Sequence, residues 1–351
     1  MIRTLVVDDS AFMRMAVRNM LLSSQDIKIV GNASNGKEAV EKTRKLHPDI
    51  IIMDVNMPVM DGLEAVKAIM NTDSIPIIMF STLTSEGSRE ALEALHLGAV
   101  DFVTKPGNYS EVNDLEQELL EKIKYVYKSN PNILRLINMK KFKGEVVRKK
   151  WNCSSGGFGV LIGSSTGGPS SLEQIISRLP GDLPAPVFVV QHMPEGNFCK
   201  QMAERINSLS ELEVKEARNN EKIRSGVVYI APGGFHMKIR KILDIIRIKL
   251  EKSKPVHAVM PAVDVTAESV VEVYGKNLVA SILTGMGNDG ALGFLKIKEA
   301  GGSTIACSED TCVVFGMPKA AIEIGAIDVV KPIFEIPEEI VNRLEVKCNG
   351  Q

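Results

Sequence analysis

The sequence is short of several things that would have pointed elsewhere. It has no charge of either sign to spare: Lys and Arg total 42 against 43 Asp and Glu, a net charge of −1. Nothing global therefore favours nucleic acid or an anionic membrane as partner. It has no apolar run long enough to cross a bilayer. The strand-like start Met1–Val7 meets Asp8 and Asp9 too early for a secretory signal. A cytoplasmic protein that inserts into no membrane and binds no nucleic acid is expected. Cysteine is scarce and scattered, at positions 153, 199, 307, 312 and 348, with no CxxC pair. That excludes a disulfide framework and a zinc site as first readings and predicts reduced thiols. Histidine is rarer than the chain length suggests, at 47, 96, 192, 236 and 257 only. Any general base has few candidates.

What is there is a long alternation of strand-like and helix-like segments. With 351 residues, about two domains are expected. From Thr4 to Tyr127 five apolar strands alternate with five helical stretches, which predicts a five-stranded, doubly wound parallel sheet. Residues 126–155 form a basic linker, with seven Lys and Arg from Arg135 to Lys150 against the single acid Glu145. It reads as a solvated connection, with docking to an acidic partner as the sharper alternative, and Ile133–Met139 as partly helical. A second strand–helix series fills 156–347, with strands near 158–162, 187–191, 227–230, 278–283, 303–307 and 327–330. It predicts a second doubly wound, mostly parallel α/β domain. Met237–Leu250 fits neither period and lacks a glycine turn; a hairpin is the expectation there.

In parallel sheets functional residues collect at the carboxyl ends of strands. Asp8 and Asp9 end the first strand and Asp54 the third. Clustered carboxylates repel unless a cation joins them, and hard oxygen ligands suit Mg²⁺. Ser81 ends the fourth strand and Lys105 follows the fifth. A cation, a lysine and a hydroxyl around one carboxylate make an environment for phosphoryl transfer to it. Pro106 is expected to fix the lysine's backbone through a cis bond. Each acid taken singly would serve as a helix cap; five groups on one rim call for a common purpose.

The segments LVVDDS (5–10), MDVNMPVMDG (53–62), FSTLT (80–84) and FVTKP (102–106) resemble the response-regulator receiver domain over residues 1–125. The resemblance implies a flavodoxin-like fold and phosphorylation at Asp54. It also implies Mg²⁺ held by Asp8, Asp9, Asp54 and the Asn56 carbonyl, and a switch made of Ser81, Phe102 and Lys105.

In the second half, Val160–Ile162 runs into Gly163-Ser164-Ser165-Thr166-Gly167, a G-x-S-x-G turn between strand and helix. A serine there is placed to act as nucleophile once a base activates it. The same turn would also cradle a phosphate at a helix N-terminus, and Ser164 is an adjacent second hydroxyl. His192, directly after the strand 187–191, lies on the same rim as Ser165; His236 is its competitor. Asp289 in TGMGNDG (284–290) follows another strand and would orient the base, with Asp264 as the alternative. Such a Ser–His–Asp set attacks acyl carbon, with backbone N–H groups for the oxyanion. Its chain order differs from the Ser, Asp, His order of α/β-hydrolases.

The motifs IGSSTGG (162–168), QHMP (191–194), APGG (231–234) with His236, VDV (263–265), LTGMGNDG (283–290) and VVFGMP (313–318) resemble the chemotaxis methylesterase catalytic domain. With the receiver, the whole chain resembles the response-regulator protein-glutamate methylesterase family. The resemblance implies Ser165, His192 and Asp289 as triad, with Thr166 and Met286 lining the oxyanion site. Met260 stands where the family often has Arg, and Ser164 where it often has Ala. The implied activity is phosphorylation-activated hydrolysis of glutamate γ-methyl esters on chemotaxis receptors, releasing methanol, with deamidation of particular glutamines. Methyl-accepting chemoreceptors would be the substrate and a chemotaxis histidine kinase the phosphodonor. Beyond Mg²⁺ in the receiver no cofactor is expected for the hydrolase. The rival is a response regulator whose second domain only binds a partner.

Overall fold

The computed structural model describes residues 1–349 except 74, 83, 106–111, 129–144 and 154–156. The expected bond at Pro106 and the helical stretch 133–139 lie outside the described residues. The chain divides into two compact units, Met1–Lys141 and Phe142–Gln351.

In the first unit β1 (Ile2–Val7), β2 (Ile27–Ala33), β3 (Ile50–Asp54), β4 (Ile77–Ser81) and β5 (Asp101–Thr104) form a parallel sheet in the order β2-β1-β3-β4-β5. Between them run α1 (Ala11–Leu22), α2 (Gly36–Leu46), α3 (Gly62–Thr72) and α4 (Ser85–Leu97), with α5 (Val112–Lys128) last. The central strands are buried on both faces, which is why they read as unbroken apolar runs. The helix caps of the first unit are residues other than the strand-end acids. Ser10, Asn35, Asp61 and Thr84 accept the first-turn N–H groups of α1 to α4, with a reciprocal Asp61–Glu64 capping box at α3. Asp8 and Asp54 are left over for the pocket.

The second unit holds a seven-stranded sheet in the order β14-β13-β12-β6-β7-β9-β8. Its strands are β6 (Gly159–Ser164), β7 (Val187–Gln191), β8 (Glu213–Glu216), β9 (Val227–Ile230), β12 (Leu278–Ile282), β13 (Ser303–Cys307) and β14 (Val329–Lys331), all parallel. Its helices are α6 (Gly168–Ile176), α7 (Phe198–Leu209), α8 (Val263–Tyr274), α9 (Ala291–Glu299), α10 (Met317–Glu323) and α11 (Ile336–Asn349). The ambiguous segment is an antiparallel hairpin, β10 (His236–Ile242) with β11 (Ile245–Glu251), turning at Leu243–Asp244. The edge strand β8 went unread in the sequence: EVKE is four residues long and mostly charged.

One expectation is overturned. Cys153 and Cys348 form a disulfide. They stand 195 residues apart in sequence, yet the fold brings their Cα atoms to 5.2 Å. Spacing along the chain carries no trace of that approach, because only the packing of α11 creates it. Cys199, Cys307 and Cys312 are free and buried. The end of the basic linker is also anchored. The Val147 N–H donates to the Arg178 carbonyl, Arg148 pairs with Glu211, and Lys149 lies 2.9 Å from Glu345.

Candidate active site and phosphoacceptor pocket

The second unit's site is assembled where β6, β7 and β12 end. Ser164 pairs with Gln191 in the register of β6 and β7, and the His192 N–H donates to the Ser164 carbonyl. The residues after those partners, Ser165 and His192, therefore stand side by side on the rim. The Ser165 N–H donates to the Thr284 carbonyl, which ties the serine turn to the end of β12. Gly167 takes φ 75°, a left-handed conformation suited to glycine, and α6 starts directly after it. Gly285 is needed for a different reason: a Cβ there would lie 2.7 Å from the Ser165 Cβ.

The two serines separate clearly. Ser164 is fully buried and its hydroxyl donates to Gln191 Oε1 at 2.7 Å. Ser165 is partly exposed at the surface of the rim. Gln191 is a bridge that sequence reasoning missed. Its Nε2 donates to the Ser165 carbonyl at 2.9 Å and to the His192 carbonyl at 3.0 Å. The signal was its place in QHMP, directly before the histidine.

His192 Nε2 donates to Asp289 Oδ2 at 2.7 Å. Asp289 is buried and collects two more donors: the Val263 N–H on Oδ2 at 2.6 Å and the Asp264 N–H on Oδ1 at 3.0 Å. Both belong to the first turn of α8, where backbone N–H groups lack helical partners and favour negative charge. Burial alone would push the Asp289 carboxyl up. The hydrogen bond and charge of His192 and the two N–H groups outweigh it and hold the group below the ordinary carboxylate range. With Nε2 committed to Asp289, Nδ1 is the nitrogen left to take a proton. No hydrogen bond joins Ser165 to His192 among the described residues.

The competitors are occupied. His236 is buried; its Nδ1 accepts from the Ala262 N–H and its Nε2 donates to the Lys254 carbonyl. Asp264 accepts from His257 Nε2 at 2.9 Å and from the Gly293 N–H at 2.7 Å, and does not reach His192. His47 caps α2 and His96 sits in the last turn of α4, both in the first unit. Thr166 is buried, and its carbonyl accepts from the Thr284 hydroxyl. The Met286 N–H donates no hydrogen bond among the described residues. Met260 precedes Pro261 through a cis peptide bond, and its carbonyl accepts from the Gly234 N–H.

In the first unit, Asp8, Asp9 and Asp54 bring carboxylate oxygens within 4.8 Å of one another. Asp8 and Asp54 are buried and Asp9 exposed. Lys105 Nζ lies 2.8 Å from Asp54 Oδ1 and 3.1 Å from Asp8 Oδ2. Burial pushes the Asp54 carboxyl up, and Lys105 offsets this only in part because Asp8 adds a like charge. For Lys105 burial works downward, but two facing carboxylates overcome it and keep the ammonium charged. A Cβ on Gly62 would lie 2.2 Å from the Asp54 carbonyl, so α3 approaches β3 as only glycine allows. No described residue donates to the Asn56 carbonyl, while the Asn56 side chain donates to Glu90. This all-oxygen donor set fits Mg²⁺. Ser81 is turned away from the pocket, its hydroxyl on the Gly87 carbonyl of α4 at 2.9 Å. Phe102 is buried, with Lys122 Nζ 5.7 Å from its ring centre.

The comparisons agree on both units. Residues 160–340 match the family model described as CheB methylesterase, and residues 4–116 the response regulator receiver domain. A Methanosarcina acetivorans protein-glutamate methylesterase/protein-glutamine glutaminase 1 is 77% identical over 349 residues, covering 99% of this chain and 100% of the relative. The Thermotoga maritima protein-glutamate methylesterase/protein-glutamine glutaminase is 48% identical over 343 residues, 97% of this chain and 98% of the relative. The crystal structure of the Thermotoga maritima CheB methylesterase catalytic domain superposes with a TM-score of 0.52 at 50% identity, over 53% of this chain and 98% of that one.

Proposed function

Since the chain belongs to the CheB methylesterase family and carries a response regulator receiver domain ahead of its hydrolase, we propose that Ser165, His192 and Asp289 do its chemistry and that phosphorylation of Asp54 stimulates them. The protein is a protein-glutamate methylesterase and protein-glutamine glutaminase acting in chemotactic adaptation. Its substrates are methyl-accepting chemoreceptors and its phosphodonor a chemotaxis histidine kinase.

The single observation that carries the catalytic reading is the His192–Asp289 bond beside Ser165 on one strand-end rim. Ser165 Oγ attacks the γ-carbonyl carbon while its proton passes to His192 Nδ1. The N–H of Met286, with that of the Thr166 turn, stabilises the developing oxyanion. The tetrahedral adduct collapses by expelling methoxide, which takes the proton from the imidazolium and leaves as methanol. Water, deprotonated by His192, then attacks the Ser165 acyl ester, and its collapse releases glutamate and restores the serine. A glutamine follows the same route with ammonia as leaving group. Asp289 keeps the imidazole tautomer fixed and stabilises the imidazolium.

In the receiver, Asp8, Asp9, Asp54 and the Asn56 carbonyl would hold Mg²⁺. When bound, the ion neutralises charge on an incoming phosphoryl group. Lys105 is already oriented on Asp54. Ser81 exchanges its Gly87 carbonyl for the phosphoryl oxygen, which alters α4 and the packing around Phe102. The test is methanol release from methylated receptor membranes, with and without acetyl phosphate and Mg²⁺. Ser165→Ala is expected to abolish release. Asp54→Asn is expected to keep unstimulated release and lose the response to phosphodonor. Full release from Ser165→Ala would overturn the catalytic assignment.

A further inference from the structure

The β10–β11 hairpin has two unlike faces. Met237, Ile239, Ile246, Ile248 and Leu250 point one way and pack into the core of the second unit. The other face carries His236, Lys238, Arg240 and Ile242 on β10, with Glu251, Lys249, Arg247 and Ile245 directly opposite. Lys238 thus faces Lys249, and Arg240 faces Arg247. Lys222, bridged antiparallel to Arg247 on its other side, extends that row to three cations. Like charges directly opposite one another destabilise a sheet. Of these five cations, Lys238 at 3.2 Å and Arg240 at 4.0 Å lie near the carboxylate of Glu251.

The tip adds a second anomaly. Ile242 is 55% exposed and Leu243 89% exposed. Leu243 also takes φ 56°, a left-handed conformation unfavourable for a bulky side chain at a turn where glycine or asparagine is usual. Charge repulsion, apolar exposure and backbone strain coincide on one element.

Its base adjoins the catalytic rim. Lys252 pairs with Glu195, three residues beyond His192, at 3.0 Å. A Cβ on Gly233 would lie 2.0 Å from the Pro194 carbonyl. From that base the hairpin extends seven residues per strand, about 3.4 Å each, or roughly 20 Å. That length equals several turns of a helix.

We propose that the outer face of this hairpin is the docking arm for the acidic surface of the protein substrate around the glutamate being processed. The inference rests on the proposed function, which supplies the partner's chemistry: a polypeptide bearing glutamates, made more anionic by each ester cleaved. The cation rows meet its carboxylates, and Ile242, Leu243 and Ile245 cover apolar side chains beyond them. The arm contributes to encounter and holding of the protein substrate and takes no part in bond breaking.

The test compares the full-length chain with a Lys238→Ser/Arg240→Ser/Lys249→Ser variant, using a soluble methylated receptor cytoplasmic fragment and N-acetylglutamate γ-methyl ester. For the fragment, KM at low salt is expected to rise about tenfold or more with kcat unchanged, and the salt dependence of kcat/KM to flatten. The small ester is expected to turn over at the wild-type rate. Lys238→Arg/Arg240→Lys/Lys249→Arg, which keeps the charge, should restore KM, and Leu243→Asn should raise it without unfolding. A wild-type KM in the serine variant overturns the proposal. So does an equal loss on both substrates, which would mean damage to the site. Loss of wild-type binding to phosphatidylserine vesicles, with the fragment's KM unmoved, overturns it in favour of a lipid surface. A wild-type chain that releases no methanol from the fragment takes down the functional reading as well, a result distinct from a variant that matches an active wild type.

Discussion

Two neighbouring hydroxyls at the catalytic turn have opposite fates, and the difference lies in one side chain. Ser164 donates its hydrogen bond to Gln191, while Ser165, partly exposed, is the proposed nucleophile. Ser164→Ala is therefore expected to cost about 1 kcal/mol of stability and to keep esterase activity within a factor of a few, measured as methanol release beside thermal unfolding. Asp289→Asn should be far more severe, lowering kcat on the order of 10⁴-fold. An amide there would set an NH₂ or a single oxygen against three donors that now share a carboxylate. The pH dependence follows from the lowered carboxyl of Asp289. Its folded value lies below its unfolded one. Its contribution to stability is thus complete above about pH 4 and is lost as pH falls through the folded value. Acid titration of unfolding free energy should be flatter in Asp289→Asn than in the wild type below that pH.

At the scale of elements, the rim depends on close approach between a helix and two strands. Gly168 opens α6, and a Cβ there would lie 1.9 Å from Gln191 Oε1. Gly168→Ala is expected to push the glutamine off the carbonyls of Ser165 and His192, which it joins. Methanol release should fall on the order of 10²-fold, because misplacement of catalytic groups by an ångström has that effect. Much of the element structure was legible in advance. The five strand–helix alternations of the first unit and strand β7 at 187–191 are where their apolar spacing indicated. The shared rim of Ser165, His192 and Asp289 was legible because the first two directly follow β6 and β7 and the third lies in the glycine-rich turn after β12. Gln191 and the His257–Asp264 pair were not. Gln191 joins β7 to the serine turn, 26 and 27 residues away, and His257 meets Asp264 seven residues on; nothing in local periodicity encodes either. The hairpin was half legible: a hairpin is the expectation, but the segment fits neither period cleanly and Leu243–Asp244 turns without the glycine that normally announces such a loop.

At the scale of the molecule, one chain carries the proposed phosphoacceptor pocket and the proposed hydrolytic rim in separate compact units. The second unit is further closed by Cys153–Cys348, a bond between the end of the linker and α11. A cross-link over such a separation restricts the unfolded chain, for a contribution of about 2–5 kcal/mol. Thermal unfolding of the second unit, followed with and without dithiothreitol, should show a lower midpoint under reduction. A Cys153→Ser/Cys348→Ser variant should match the reduced form under both conditions. The same bond makes the second unit a covalent ring. One protease cut anywhere between residues 154 and 347 leaves both pieces attached, so a nicked molecule keeps its full mass until a reductant separates the halves.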